Sequence, residues 1–201
     1  MAWKNDQVSE AETNKIIEIA RRQLVEPGDF VEMGCYKGDT SLCLTEVLAE
    51  AGKGAEDLRT AKKLWIYDSF EGLPEKQQQD ESVLGKEFKG GELFVTKREV
   101  KERFLRAGLK LPQIKKAWFS ELKAQDLPSE IALAFLDGDF YESIKESLDL
   151  VADKMSKNGI IMVHDYHNPA LPGVKKAVDE WLSGKNQKVQ FFHSIIIING
   201  S

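Results

Sequence analysis

The chain has 201 residues, 42% of them apolar and 30% charged, with a formal charge of −5. That is enough to bury one sizeable core, too apolar for a disordered segment, and the wrong sign for gripping a nucleic-acid backbone. The apolar run Ile195 to Ile198 is far too short to cross a bilayer, so no membrane association is expected.

Met1 to Asp6 carries no apolar stretch behind Lys4, so no secretory leader is expected. Cys35 and Cys43 are the only cysteines, form no CxxC pair, and read as buried free thiols of a cytoplasmic protein. The basic cluster Lys97, Arg98, Lys101, Arg103, Arg106, Lys115 and Lys116 is interrupted by Glu99 and Glu102 and reads as a solvated helix face.

Strand-like and helix-like patterns alternate, as a mostly parallel sheet covered by helices requires. A helix is predicted from about Glu10 to Leu24, with Ile16, Ile17, Ala20 and Leu24 on one stripe and Pro27-Gly28 as its stop. Asp29 to Gly34 reads as a short buried strand, followed by a glycine-containing turn and a helix from Thr40 to Glu50. A Lys/Gly-rich loop leads to the next strand, Lys63 to Asp68. Residues 71–95 are the least regular stretch. They read as a surface excursion with room for a short helix, and their role is open.

Thr96-Lys-Arg-Glu99 has the spacing of a capping box for a helix ending near Gly108. Ile114 to Trp118 is a third strand, and the continuous apolar run Ile131 to Asp137 is a central parallel one. A helix over Tyr141 to Met155, stopped by Asn158-Gly159, precedes a strand from Ile160 to His164 and a helix from Gly173 to Leu182. Val189 to Phe192 and Ile195 to Ile198 form a closing antiparallel hairpin. The expected architecture is α/β, doubly wound, as one domain over 1–201.

In such sheets ligands bind beyond the carboxyl ends of the strands. Four predicted strands end there in polar residues or glycine: Glu32 to Gly34, Asp68-Ser69, Asp137-Gly-Asp139 and His164-Asp165. Glu32, Gly34 and Gly38, with Thr40 opening a helix, form a turn whose free N–H groups suit a polar ligand end, although a plain tight turn has the same pattern. It is neither GxGxxG nor a P-loop, which argues against dinucleotides and nucleoside triphosphates. Asp68, beside Ser69, is placed to accept hydrogen bonds from a ribose diol or, alternatively, to cap a helix. Trp118 either closes over a base or packs in the core. Phe70 has the same two options, and Trp65 reads as core.

Adjacent strands lie about 4.8 Å apart, so Asp137, Asp139, His164 and Asp165 converge into an N/O donor set suited to a divalent ion; helix capping is the structural alternative. His167 either joins that set or is exposed, and His193 reads as structural or exposed.

These stretches resemble the macrocin O-methyltransferase-like family of metal-dependent sugar O-methyltransferases. The resemblance rests on Phe30 to Gly38, Tyr67-Asp-Ser-Phe-Glu-Gly-Leu-Pro74, Leu136-Asp-Gly-Asp-Phe-Tyr-Glu-Ser143, Val163 to His167 and Pro172 to Asp179, in family order. It implies a Rossmann-like class I methyltransferase fold with S-adenosylmethionine at Glu32, Gly34 and Asp68; Gly38, Thr40, Ser69 and Trp118, on the same rim, are expected to complete the cofactor site. It implies a divalent metal, Mg²⁺ or Mn²⁺, on Asp137, His164 and Asp165, with His164 standing where the family has aspartate. Imidazole favours Mn²⁺ over Mg²⁺.

The implied reaction moves a methyl group to a hydroxyl of a small, sugar-like acceptor, with Asp137 or His167 taking the proton. A metal-free O-methyltransferase acting on a non-sugar and a catalytically silent nucleoside-binding protein are the alternatives. The sequence is compatible with a homodimer and does not decide the oligomeric state.

Overall fold

The computed structural model describes residues 7–52, 62–86 and 88–200. Residues 1–6, and 53–61 of the expected Lys/Gly-rich loop, lie outside the described residues. Among the described residues there are seven strands: β1 (Asp29–Met33), β2 (Leu64–Asp68), β3 (Gln113–Lys116), β4 (Ile131–Leu136), β5 (Met155–Val163), β6 (Val189–Phe192) and β7 (Ile195–Asn199). They form one sheet in the order β3-β2-β1-β4-β5-β7-β6. The first five are parallel, and β7 joins β5 antiparallel as the inner strand of the expected hairpin.

Among the described residues five α-helices cover the sheet: α1 (Glu10–Arg22), α2 (Asp39–Gly52), α3 (Lys97–Arg106), α4 (Tyr141–Ala152) and α5 (Pro172–Leu182). Strand residues alternate between two cores, as a pleated strand requires. Phe30, Leu133, Phe135 and Met162 face α1, α2 and α3, whereas Val31, Met33, Ala134, Leu136 and Val163 face α4 and α5. Among the described residues no helix is long and apolar enough to cross a membrane.

The predicted capping box at Thr96 and Glu99 forms and starts α3. A second one, Ser9 with Glu12, starts α1. One expectation is corrected. Helix α4 stops at Ala152 rather than Met155, because Met155 already pairs with Ile131 as the first residue of β5. Asn158-Gly159 therefore lies inside a strand, where the β4–β5 register shifts, and not at a helix end.

The strand registers set the site. Met33 is level with Tyr67 and Leu136, and Leu136 is level with Val163. The next residue of each strand, Gly34, Asp68, Asp137 and His164, therefore emerges at one height along the carboxyl rim. Backbone hydrogen bonds continue that alignment past the strands: Gly34 N donates to Tyr67 O (2.9 Å), Asp137 N to Met33 O (2.8 Å) and His164 N to Leu136 O (3.0 Å). The order reverses between β1 and β4, which opens a crevice above them.

Gly34 is the tightest point of this rim. Its φ is +86°, and a Cβ there would lie 2.0 Å from the carbonyl oxygen of Asp137. Both the dihedral and the close approach require glycine. Gly34→Ala should destabilise the fold by at least about 2 kcal/mol in urea unfolding. A midpoint within error of wild type would show that the two turns do not touch.

Candidate active site

The turn after β1 is built by a carboxylate from β2. Asp68 Oδ2 accepts hydrogen bonds from Cys35 N (2.8 Å) and Tyr36 N (3.3 Å), and Oδ1 accepts one from Phe70 N (2.7 Å). A carboxylate offers about four acceptor positions, so one remains for an incoming hydroxyl. Asp68 thus shapes the turn and keeps limited capacity for a ribose, where the sequence suggested a carboxylate free for both hydroxyls. The Ser69 hydroxyl is engaged in its own turn, accepting from Glu71 N (3.1 Å) and donating to Gly72 O (3.2 Å). Phe70 is buried in the core away from the cavity, which settles its two readings.

At the other side of the turn, Gly38 N donates to Cys35 O (2.7 Å) and α2 begins. Arg103 of α3 pairs there with Asp39 and donates from Nη1 to Lys37 O (2.8 Å). The expected solvated face of α3 is corrected at this residue: Arg98 and Arg106 pair with Glu102 in solvent, but Arg103 locks the start of α2.

Glu32 lies beneath the turn, almost fully buried, with the Ser41 hydroxyl donating to it. Burial, reinforced by the charges of Asp137, Asp68 and Asp39, raises its pKa to about 8 against the opposing Ser41 hydrogen bond. At neutral pH it is a protonated buttress of the glycine turn.

Across the crevice, His164 Nδ1 stands 2.9 Å from Asp137 Oδ1 and 3.2 Å from Asp165 Oδ2. Burial alone would lower the imidazole pKa. The two carboxylates outweigh it, Asp137 foremost, and raise it to about 11. One donor atom from each residue falls within 4.8 Å of the others. Two carboxylate oxygens and one imidazole nitrogen at that spacing fit a divalent ion that accepts N/O ligands. A proton on Nδ1 and an ion would compete for the same lone pair, so ion binding requires His164 to give up that proton.

Asp139 follows at φ 61° and faces the same space. Its carboxylate accepts no hydrogen bond among the described residues, and desolvation together with the charges of Asp137 and Asp165 raises its pKa well above the ordinary carboxylate range. His167 goes elsewhere. It is exposed, it packs against Tyr166 and Phe191, and its Nδ1 lies 3.1 Å from His193 O. His193 stands in the β6–β7 turn against Phe192, consistent with a structural role.

One cavity of about 520 Å³ brings these groups together, a volume typical of small-molecule sites. Of the predicted residues it is lined by Glu32, Gly34, Thr40, Asp68, Ser69, Trp118, Asp137, His164 and Asp165, whereas Gly38 and His167 lie outside its lining. Trp118 stands at the end of β3 and faces the cavity, while Trp65 is half-buried, with Nε1 donating to Asp29 (2.8 Å). The sequence reading passed over Asn168, Glu75 and the apolar wall Leu73, Phe88 and Leu93, all of which line the cavity. Asp139, expected in the donor set, lines the cavity but is not among the three residues whose donor atoms converge, Asp137, His164 and Asp165.

The family model described as macrocin-O-methyltransferase (TylF) matches residues 10–193. The chain belongs to this family. It is 31% identical, over 77% of its length, to 8-demethyl-8-(2,3-dimethoxy-alpha-L-rhamnosyl)-tetracenomycin-C 4'-O-methyltransferase of Streptomyces olivaceus. It is 29% identical, over the same share, to demethyldecarbamoylnovobiocin O-methyltransferase of Streptomyces niveus. The chain spans 58% of the length of each of these relatives. The O-methyltransferase NovP superposes with a TM-score of 0.77, covering 94% of this chain and 79% of NovP at 23% identity. The fold is accordingly the Rossmann-like class I methyltransferase fold, with a mostly parallel sheet and a short antiparallel hairpin.

Within the family turn, the protonated state of Glu32 has a measurable consequence. An unfolded carboxyl ionises near 4.5 and the folded one near 8, so between those values the native state keeps a proton that the unfolded state has lost. Stability therefore falls as pH rises through that window. Glu32→Gln should remove the loss and exceed wild-type stability at pH 7.5 by on the order of 2 kcal/mol. Parallel stability-versus-pH curves for the two proteins from pH 5 to 8 would contradict the assignment.

Proposed function

We propose that this chain transfers a methyl group from S-adenosylmethionine to a hydroxyl of a small, sugar-like acceptor. The observation that carries the reading is the shared cavity: Asp68, Gly34, Trp118, Asp137, His164 and Asp165 all line the same space. Family membership and relatives that methylate hydroxyls support it.

S-adenosylmethionine supplies an already electrophilic methyl carbon, so the protein's task is alignment and proton removal. The glycine turn and the last acceptor position of Asp68 would hold the nucleoside, and Trp118 would supply an aromatic face for its base. The carboxylates around the cavity suit a sulfonium cation. Asp137, His164 and Asp165 would hold a divalent ion, which lowers the pKa of a bound hydroxyl and fixes its direction. Asp139, once ionised by the positive charge of a divalent ion or sulfonium beside it, would accept the hydroxyl proton as the C–O bond forms and the S–CH₃ bond breaks. This role goes to Asp139 because Asp137 is engaged with His164 and His167 lies outside the cavity. The buried thiols and the absence of a disulfide among the described residues support a cytoplasmic setting.

One observation favours a second reading. His164 Nδ1 lies within reach of both the Asp137 and Asp165 carboxylates (2.9 and 3.2 Å), and they raise its pKa to about 11, so a protonated imidazole could offset part of their charge in a metal-free O-methyltransferase. Turnover that survives saturating EDTA would select it.

The primary reading is tested by calorimetry with S-adenosylhomocysteine and Mn²⁺. Asp165→Ala should abolish Mn²⁺ binding and turnover and leave S-adenosylhomocysteine affinity within about threefold of wild type. Loss of S-adenosylhomocysteine binding in that variant would dissolve the division of the cavity. Asp139→Asn should bind both ligands and lower turnover by roughly 10²–10⁴-fold; wild-type turnover would remove it as the base.

A further inference from the structure

Residues 71–86 and 88–95 give the cavity Leu73, Glu75, Phe88 and Leu93, and their path is closely defined. The excursion is closed at its neck by Leu73 N donating to Glu92 O and Gly91 N to Leu73 O, both 2.8 Å. Its far end is tied down by Asp80. That carboxylate is 1% exposed and accepts a hydrogen bond from Tyr141 N (2.7 Å) at the first residue of α4. Just beyond, Ser82 Oγ donates to Pro169 O (2.9 Å). Gly85 packs on Ala170 so closely that a Cβ would lie 2.0 Å from the Ala170 carbonyl oxygen.

Pro169 and Ala170 form the outer leg of the loop that begins at Asp165, and Asn168 joins the two legs. Its Nδ2 donates to Asp165 Oδ1 (2.9 Å), and its Oδ1 accepts from Ala170 N (3.0 Å). Asp165 has φ 59°, a conformation that persists only when its surroundings impose it. With Oδ1 held by Asn168, it is Oδ2 that faces His164 Nδ1 at 3.2 Å.

We propose that Asn168 is a positioning residue that presents Asp165 to a divalent ion through Oδ2, and that the excursion over 71–95 is the brace that holds Asn168 in place. The proposal rests on the metal-assisted reading of the site. A ligand carboxylate whose second oxygen is already committed enters the site in one orientation, and outer partners of this kind typically contribute 10–100-fold to metal affinity. The excursion acts at one remove, because Ser82 and Gly85 fix the backbone from which Asn168 reaches back.

The test is Mn²⁺ binding to the full chain, read from the paramagnetic resonance signal of the free ion, with S-adenosylhomocysteine binding as the check on folding. Asn168→Ala should weaken Mn²⁺ by about 10-fold or more and leave S-adenosylhomocysteine binding intact. Gly85→Ala touches neither ligand and should also weaken Mn²⁺. Ser82→Ala replaces it if the added methyl group abolishes cofactor binding. A cofactor-competent Asn168→Ala protein with wild-type Mn²⁺ affinity overturns the proposal. Wild-type affinity in the Gly85→Ala or Ser82→Ala protein overturns the brace. Failure of the unaltered protein to bind Mn²⁺ overturns the metal-assisted reading and this proposal with it, and the unaltered-protein arm tells that case from the others.

Discussion

The carboxylate of Asp68 accepts hydrogen bonds from three backbone N–H groups, two of them in the turn that leaves β1. That turn is where the chain must leave the sheet, reverse and start α2, with no strand partner left to satisfy its amides. An unpaired buried amide costs about 1–3 kcal/mol, so an acceptor from the neighbouring strand is a strong constraint. It works only because β1 and β2 end level, which their register secures. The same levelling brings the Asp137 carbonyl against Gly34 and delivers Asp137 and His164 beside each other. The crevice follows from how the strands end.

The rim gathers many carboxylates, and each is neutralised differently. Glu32 keeps its proton because it is buried. Asp39 takes Arg103 from α3, and Asp68 takes backbone dipoles. Asp137 and Asp165 share His164. Asp139 alone of this group has no such partner among the described residues, and it is pushed toward the protonated state by its neighbours. Positive charge in the cavity would be needed to draw its proton away.

Most of the fold was legible because the strands announce themselves. Ile131 to Leu136 is apolar on both faces and ends in a carboxylate, and it is the fully buried β4. Val189 to Phe192 and Ile195 to Asn199 pair as the expected hairpin. Legibility failed where long-range contacts decide. Nothing local in Arg103 shows that it reaches back to Asp39. The start of β5 at Met155 depends on pairing with Ile131, not on the residues around Asn158-Gly159. His167 stands only two residues after Asp165, but the left-handed backbone at Asp165 sends the chain toward the β6–β7 turn and away from the cavity. Residues 71–95 lack periodicity because a few distant partners order them, Tyr141 and Pro169 among them.

The central claim is spatial: a nucleoside and an ion occupy adjoining parts of a single cleft. A crystal structure of the full chain grown with S-adenosylhomocysteine and Mn²⁺ measures this directly, the metal being located by its anomalous signal. The account predicts the ribose against Asp68, the base near Trp118, and the anomalous peak between Asp137, His164 and Asp165. A peak elsewhere, or a nucleoside bound away from the β1 turn, would contradict it.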